Sequence, residues 1–329
     1  MSEVSDRDDL GLELVRVTEA AALAAARWQG RGDKEAVDQA AVDGMRLVLS
    51  TVDVAGTVVV GEGKKDEAPM LYDGESVGTG RGLEVDVAVD PVDGTTLTAQ
   101  GMPGAVAVIA AAERGSMYAP GPLVYMDKIA VGPVAAGAID LDAPVEYNLS
   151  QVAKAADKDV GDVTAIILDR PRNARFIDEV RKSGARIRLI RDGDISGAIA
   201  TAQPDSGIDI LFGIGGSPEA VIAAAALTCL GGEQQCRLWP RDDAEREYAR
   251  AHDIDLQQIL EMKDLVDSNN VFFAATGITG GEFLDGVKFS GVHAFTSSVV
   301  MRSKTGSVRS MKTSHDFRKL RQISALIYE

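Results

Sequence analysis

Two kinds of apolar pattern divide the chain. Near the N-terminus, LGLELVRVTEAAALAAARWQ is dense in strong helix formers and stops at Gly30-Arg31-Gly32, which predicts a helix closed by a glycine-rich turn. Asp33 then stands where it can cap KEAVDQAAVDGMRLVLS, in which Val37, Ala41 and Val48 form an apolar stripe at helical spacing. On that helix Lys34 and Asp38 are four apart and share a face near its start. The period then drops to two. TVVVGEG reads as a strand ending in Glu62, and the polar loop KKDEAPMLYDGE follows. LEVDVAVD alternates, with Leu83, Val85, Val87 and Val89 on one side and Glu84, Asp86, Ala88 and Asp90 on the other. AVAVIAAAER and YMDKIAVGPVAAGAID add further strands, so the first half is expected to be α+β with much of its sheet antiparallel.

From about Val163 the order becomes strand VTAIIL, helix NARFIDEVRKSG, strand RIRLI, helix ISGAIATA, strand IDILFGIG and helix SPEAVIAAAALTCL. Such alternation is the mark of βαβ units and a parallel sheet. VFFAATGITGG and SVVMRSKTGSVRSMKTSH return to strand-like patterning and are expected to complete that second sheet. The polar stretch EYNLSQVAKAADKDVGD between the halves suggests a boundary near Leu149. The expectation is an α/β protein of two domains, residues 1–148 (α+β) and 149–329 (α/β).

Composition narrows the function. The 329 residues include 34 Lys plus Arg against 50 Asp plus Glu, a net charge of -16, which argues against nucleic acid and anionic membranes as partners. MSEVSDRDDLGLELV lacks the basic and apolar regions of a secretory signal, and no run is long enough to span a membrane, so a cytoplasmic location is expected. Cys229 and Cys236 have neither metal-ligand nor redox spacing and are expected to be buried, inert thiols. His252, His293 and His315 are scattered, which disfavours imidazole zinc sites and His-based triads.

The chemistry concentrates in AVDPVDGTT. Asp90 sits at the exit of a strand, Pro91 cannot continue a central ladder and is expected to turn the chain, and Gly94 permits a tight turn that brings Asp90 and Asp93 together. Taken alone, the stretch equally reads as a solvated turn in which both carboxylates satisfy backbone amides. With Asp38 and Glu62, however, it makes a set of hard oxygen donors without His or Cys, which suits Mg²⁺ or Mn²⁺. Two such ions can clamp the attacking and leaving oxygens of a phosphoryl transfer. Thr95 adds a hydroxyl and, with Gly94, opens a helix whose free amides favour a phosphate.

DPVDGTT after a strand-end Glu and an upstream Lys-x-x-x-Asp helix resembles the lithium-sensitive, metal-dependent sugar and inositol phosphatases. GRGDKEAVD, GEGKKDEAPMLYDGE, DVAVDPVDGTTL, YMDKIAVGP, LDRPR, RDGD, GIGGSPE and VMRSKTGSVR, in that order, are similar to class II fructose-1,6-bisphosphatase, from about Leu12 to His315. The resemblance implies a layered sugar-phosphatase fold with the active site between the two halves. It implies metal-dependent removal of the 1-phosphate of fructose 1,6-bisphosphate, with Mg²⁺ or Mn²⁺, in a homo-oligomer (dimer or tetramer). Asp38, Glu62, Asp90, Asp93 and Glu219 match metal-binding carboxylates, joined by the Val92 carbonyl. Thr95 matches the hydroxyl that orients the attacking water, with Asp38 and Glu62 beside it as catalytic groups. Lys34 and Asp66 match polar residues next to the metals, and Gly94 and Thr95 offer amides to the phosphate. Tyr125, Arg170 and Arg172 match substrate-phosphate contacts, and Asp192 and Asp194 match groups that bond sugar hydroxyls. Lys64 departs from the pattern, where relatives often carry Glu. Two rival readings are an inositol or nucleotide phosphatase and a non-catalytic sugar-phosphate sensor.

Overall fold

A computed structural model of the chain describes residues 10–63 and 70–323. The chain runs α1 (Leu10–Ala25), α2 (Lys34–Leu49), β1 (Val54–Val60), β2 (Ser76–Val77), β3 (Leu83–Asp93), α3 (Thr95–Gln100) and β4 (Val106–Glu113). It continues with β5 (Tyr125–Val131), α4 (Val145–Ala155), β6 (Thr164–Leu168), α5 (Ala174–Lys182), β7 (Arg186–Ile190), α6 (Asp194–Thr201), β8 (Ile210–Gly216), α7 (Ser217–Leu230) and β9 (Glu233–Leu238). After α8 (Asp243–Ala251) and α9 (Met262–Leu265) come β10 (Phe272–Gly277), β11 (Lys288–Ser290), β12 (His293–Arg302), β13 (Ser307–Asp316) and α10 (Phe317–Ile323).

These elements form two compact units. One is made by the chain up to Arg114 together with the chain from Asn270 onward; the other spans Gly115–Asn269. The first unit holds an eight-stranded sheet in the order β11-β12-β10-β4-β3-β1-β2, with β13 also paired to β12. All neighbours are antiparallel except β1 and β3, which run parallel. Helices α1 and α2 pack on one face, where Leu14, Val17, Ala21, Val37, Ala41 and Met45 meet Val87, Val89, Ile109 and Ala274. The expected caps hold, because Asp33 accepts the Ala36 amide at the start of α2. The Gly30-Arg31-Gly32 turn does more than end a helix: the Gly30 and Gly32 amides donate to the Thr98 and Ala99 carbonyls and tie the entry of α2 to α3.

The second unit has a five-stranded sheet, β7-β6-β8-β5-β9, with apolar clusters on both faces. Helices α4 and α5 lie over one face, contributing Leu149, Val152, Phe176 and Val180; α6 and α7 cover the other with Ala198, Ala223 and Leu227. Strands β6, β7 and β8 are parallel, as the alternation predicts; β5 alone runs the other way, antiparallel to both β8 and β9.

Three expectations about the halves are corrected here. YMDKIAV, read with the first half, pairs as β5 with β8 and β9. The C-terminal strands, expected in the second sheet, belong to the first: β10 occupies the edge of β4 that β3 leaves open. A buried chain of hydroxyls, Thr18 to Thr276 (2.7 Å) and Thr276 to Ser298 (2.8 Å), fastens α1 to β10 and β12. The expected boundary near Leu149 falls inside α4, whose apolar side is built into the core of the second unit. The division is made at Arg114 and Asn270 because pairing between distant strands, rather than local composition, decides which sheet a strand joins.

The α1–α2 crossing depends on Gly44, where a Cβ would lie 2.7 Å from the Ala20 carbonyl oxygen. Gly→Ala inside an exposed helix gains up to about 1 kcal/mol. Here the sign should reverse, and Gly44→Ala should lower stability by about 1–3 kcal/mol, the usual scale of overpacking. Urea unfolding measures it, and an unchanged or raised midpoint would show that the helices separate at no cost.

Candidate active site

The end of β3 is where the sequence reading is most changed. The strand does not stop at Asp90 but runs through Pro91 to Asp93. Against β4, Asp90 faces Val108 and Asp93 faces Val106, so β3 carries one extra residue between them. Pro91 has no amide to give to the ladder, and a bulge is where a strand tolerates that loss. Side chains alternate with period two, so Asp90 and Asp93 would point to opposite faces of a regular strand; the extra residue brings them into phase. Asp90 Oδ1 accepts the Val92 amide at 2.9 Å, which fixes the bulge from within. Part of the solvated-turn reading is thus correct for Asp90, but Asp93 is buried rather than solvated.

Gly94 follows at φ 106°, a conformation that side chains other than glycine's rarely adopt, and reverses the chain into α3. Thr95 opens that helix. Its hydroxyl donates to Asp38 Oδ1 on α2 at 2.7 Å, with the Val92 carbonyl 3.3 Å away. Asp38 is pushed above the usual carboxylate range by burial, against which the Thr95 bond and the Lys34 charge pull it down. Lys34, one turn earlier, is exposed.

Glu62 lies beyond β1, which ends at Val60, in a turn where its amide donates to the Leu71 carbonyl and the Gly61 amide to Asp73 Oδ1. Asp66 and Lys64 lie outside the described residues. Among the described residues, no three His, Cys, Asp or Glu side chains are grouped closely enough to hold a metal by themselves. The structure brings Asp38, Thr95, Val92 and Asp90 into one bonded array.

The remaining predicted residues belong to the second unit, at the carboxyl ends of its parallel strands, the customary ligand-binding edge of an open α/β sheet. Arg170 and Arg172 follow β6, Asp192 and Asp194 follow β7, and Glu219 lies in the first turn of α7, after β8. Tyr125 starts the antiparallel β5 at the same edge, opposite Gly216. The Arg170 guanidinium pairs with Asp192 Oδ1 at 2.5 Å. Arg172 donates from Nε to the Ile214 carbonyl (2.9 Å) and stacks on the Tyr125 ring at 4.4 Å. Glu219 folds back over its helix end so closely that a Cβ on Gly216 would lie 1.7 Å from its Oε2. That oxygen is buried without a hydrogen-bond partner, and burial, reinforced by Asp194, raises the Glu219 pKa.

Three residues of this edge were not singled out from sequence. Asn173, fully buried, accepts the Ile214 amide at 2.7 Å and donates to the Leu168 carbonyl at 3.0 Å, pinning the turn that carries both arginines to β8. Arg241 stands 6.0 Å from the Tyr125 ring. Lys128 donates to Asp194 Oδ2 at 2.5 Å. The available signal was a lysine next to Asp127 inside the strand YMDKIAV, which must be buried if that strand is covered on both faces.

Carboxylates and a hydroxyl at the end of β3 can bind a hard cation, and the guanidinium groups at strand ends of the second unit can bind a phosphate ester. Comparison with known proteins agrees with this class. The family described as bacterial fructose-1,6-bisphosphatase, glpX-encoded, matches residues 8–315, and the chain belongs to it. Fructose-1,6-bisphosphatase 1 class 2 of Escherichia coli (strain K12) is 44% identical over 322 residues, covering 94% of this chain and 96% of that protein. The class 2 fructose-1,6-bisphosphatase of Shigella flexneri shows the same identity and coverage. No helix among the described residues is long and apolar enough to cross a membrane.

Proposed function

We propose that this chain hydrolyses the 1-phosphate of fructose 1,6-bisphosphate to fructose 6-phosphate and inorganic phosphate, a reaction of gluconeogenesis, using Mg²⁺ or Mn²⁺. The reading rests on family membership and on one observation, the Thr95–Asp38 hydrogen bond beside the β3 bulge. A threonine hydroxyl has a single proton. Given to Asp38, it leaves the Thr95 oxygen as an acceptor, able to hold a water by its proton and aim it at phosphorus. The cap of α3 is Gly94, with no side-chain capping bond, so the hydroxyl is not spent on the helix end.

A divalent cation fits the donors available. In the first unit Asp38, Glu62, Asp90, Asp93 and the Val92 carbonyl offer only hard oxygens. In the second unit, taken by itself, the buried Glu219 Oε2 lacks a hydrogen-bond partner of the kind a cation would replace. When bound, the cations supply positive charge against the phosphoryl oxygens. The family pattern gives Lys34 and Asp66 polar roles next to the cations, and Gly94 and Thr95 offer amides to the phosphate. Arg172, with Tyr125 and Arg170, holds the distal phosphate, while Asp192 and Asp194 accept sugar hydroxyls. We propose further a cytoplasmic homo-oligomer, a dimer or tetramer; both cysteines are buried, and burial pushes the Cys236 thiol up to about 12, consistent with inert thiols.

Phosphate release from fructose 1,6-bisphosphate should be absent in chelator-treated protein and restored by Mn²⁺ or Mg²⁺. Asp90→Asn should abolish it without unfolding, since the amide oxygen of Asn can still accept the Val92 N–H and only the charge is lost. Full turnover in the presence of chelator would overturn the cation assignment.

Thr95→Ala should lower kcat by two orders of magnitude or more and leave KM near its original value, because a water-positioning contact matters mainly in the transition state. Thr95→Ser, which keeps the oxygen, should recover much of the rate. A stable Thr95→Ala enzyme with ordinary kcat removes the residue from the mechanism.

Arg172→Ala should raise KM for the bisphosphate roughly tenfold or more, from a charge-assisted contact of about 1.5–3 kcal/mol, and affect a small aryl phosphate far less. Equal losses on both substrates would assign Arg172 to the reacting phosphate or to the fold.

A further inference from the structure

Lys128 is the most deeply buried cationic side chain among the described residues of the second unit, 3% exposed on β5, a strand paired on both sides. Its Nζ donates to Asp194 Oδ2 at 2.5 Å and to the Gly216 carbonyl at 3.0 Å. One ammonium therefore ties together the starts of two helices, α6 through its first residue and α7 through the residue before it. The backbone is shaped around this contact. A Cβ on Gly215 would lie 2.1 Å from Asp194 Oδ2 and 2.8 Å from Lys128 Nζ, so the glycine at this point of GIGGSPE makes room for buried charge. Burial works against the charge of Lys128, but Asp194 and Glu219 outweigh it and hold its pKa above the usual lysine value.

Apolar residues of similar volume often stabilise a core as well as a buried ion pair does, so stability alone gives little reason for this arrangement. Two carboxylates stand near one ammonium, and they are treated differently. Asp194 receives the direct bond, whereas Glu219 Oε2 is left buried with no hydrogen-bond partner. Lys128 donates nothing to Glu219.

We propose that Lys128 is a positioning residue that assigns separate tasks to these two carboxylates: it fixes Asp194 in place as an acceptor for a sugar hydroxyl and leaves Glu219 to a divalent cation. The inference rests on the function proposed above and names a residue through which substrate selectivity is set. Lys128 contacts no substrate atom in this account; its effect passes through Asp194.

Such a relay is tested by a double-mutant cycle, since residues acting through one another are non-additive. KM and kcat for fructose 1,6-bisphosphate and for p-nitrophenyl phosphate, with Mn²⁺, and Tm are measured for wild type, Lys128→Met, Asp194→Asn and the double variant. Lys128→Met should raise KM for the bisphosphate tenfold or more and lower turnover of the aryl phosphate less than threefold. The double variant should have the KM of Asp194→Asn alone, within about twofold, and a Tm above that of Lys128→Met, because the Asp194 carboxylate is no longer left buried without its ammonium partner. If Lys128→Met does not fold, the double variant against Asp194→Asn carries the comparison: equal KM values support the relay, and a further tenfold rise overturns it. A lowered Tm with both substrates losing turnover equally at unchanged KM makes Lys128 structural only and overturns the proposal. A wild type that releases no phosphate from the bisphosphate overturns the functional reading itself, whereas an active wild type with additive single variants overturns only the role of Lys128.

Discussion

One extra residue in β3 governs the acidic end of the first unit. Without it Asp90 and Asp93 would lie on opposite faces of the sheet, and no later adjustment of rotamers could bring them into phase. Pro91 makes the irregularity tolerable by withholding an amide that a regular ladder would need, and Asp90 turns the neighbouring amide to use by accepting it. Gly94 then reverses the chain at φ 106°, which places Thr95 at the start of α3 and within reach of Asp38. The position of Asp38 is secured in turn by the amides of Gly30 and Gly32, which bind the C-terminal carbonyls of α3 before the chain enters α2. Every contact in this array is therefore a consequence of where β3 departs from regular pairing.

The second unit solves a different problem, the holding of charge at the edge of a sheet. Arg172 is fixed by a backbone carbonyl and an aromatic face, Arg170 by Asp192, and Lys128 by Asp194 and the Gly216 carbonyl. Asn173 bonds both Leu168 and Ile214 and so fastens the arginine-bearing turn to β8. Loss of one such buried partner leaves the other unsatisfied, which costs more than the bond contributes when made. The edge consequently behaves as a unit, and small residues are required wherever these side chains cross the backbone, as at Gly215 and Gly216.

Local structure was largely legible in the sequence, and long-range pairing was not. RIRLI and SPEAVIAAAALTCL coincide with β7 and α7 from end to end, and the Asp33 cap is found where its position relative to the apolar stripe places it. Periodicity and capping are properties of neighbouring residues, so a single sequence displays them. Which sheet receives YMDKIAV or VFFAATG depends on partners up to about a hundred and seventy residues away, as Gly277 opposite Val106 illustrates, and nothing in either segment records it. The β3 bulge was misread for a related reason. Pro91 announces an interruption, but a turn and a bulge begin alike and differ only in whether the partner strand continues. Among candidate residues, motif order indicated Asp38 and Thr95 without showing their bond. Lys128 stayed hidden because alternation in a strand covered on both faces no longer separates inside from outside.

Net charge sharpens the demand on the basic edge. A chain of charge -16 repels a sugar bisphosphate at long range, but at physiological ionic strength that field decays over about 8 Å, so capture is decided by the groups the phosphate touches. Long cationic side chains normally lose rotamer entropy when they bind. Arg172 has already lost much of it to the Ile214 carbonyl and the Tyr125 ring, and Arg170 to Asp192. Both guanidinium groups are held by the protein's own groups, and, in the proposed role of these arginines as phosphate contacts, a planar fork keeps further N–H groups available beyond those bonds. Ordering cations in advance lowers the cost of binding at the moment of contact, and in so acidic a protein that local economy is what can offset the unfavourable field of the whole.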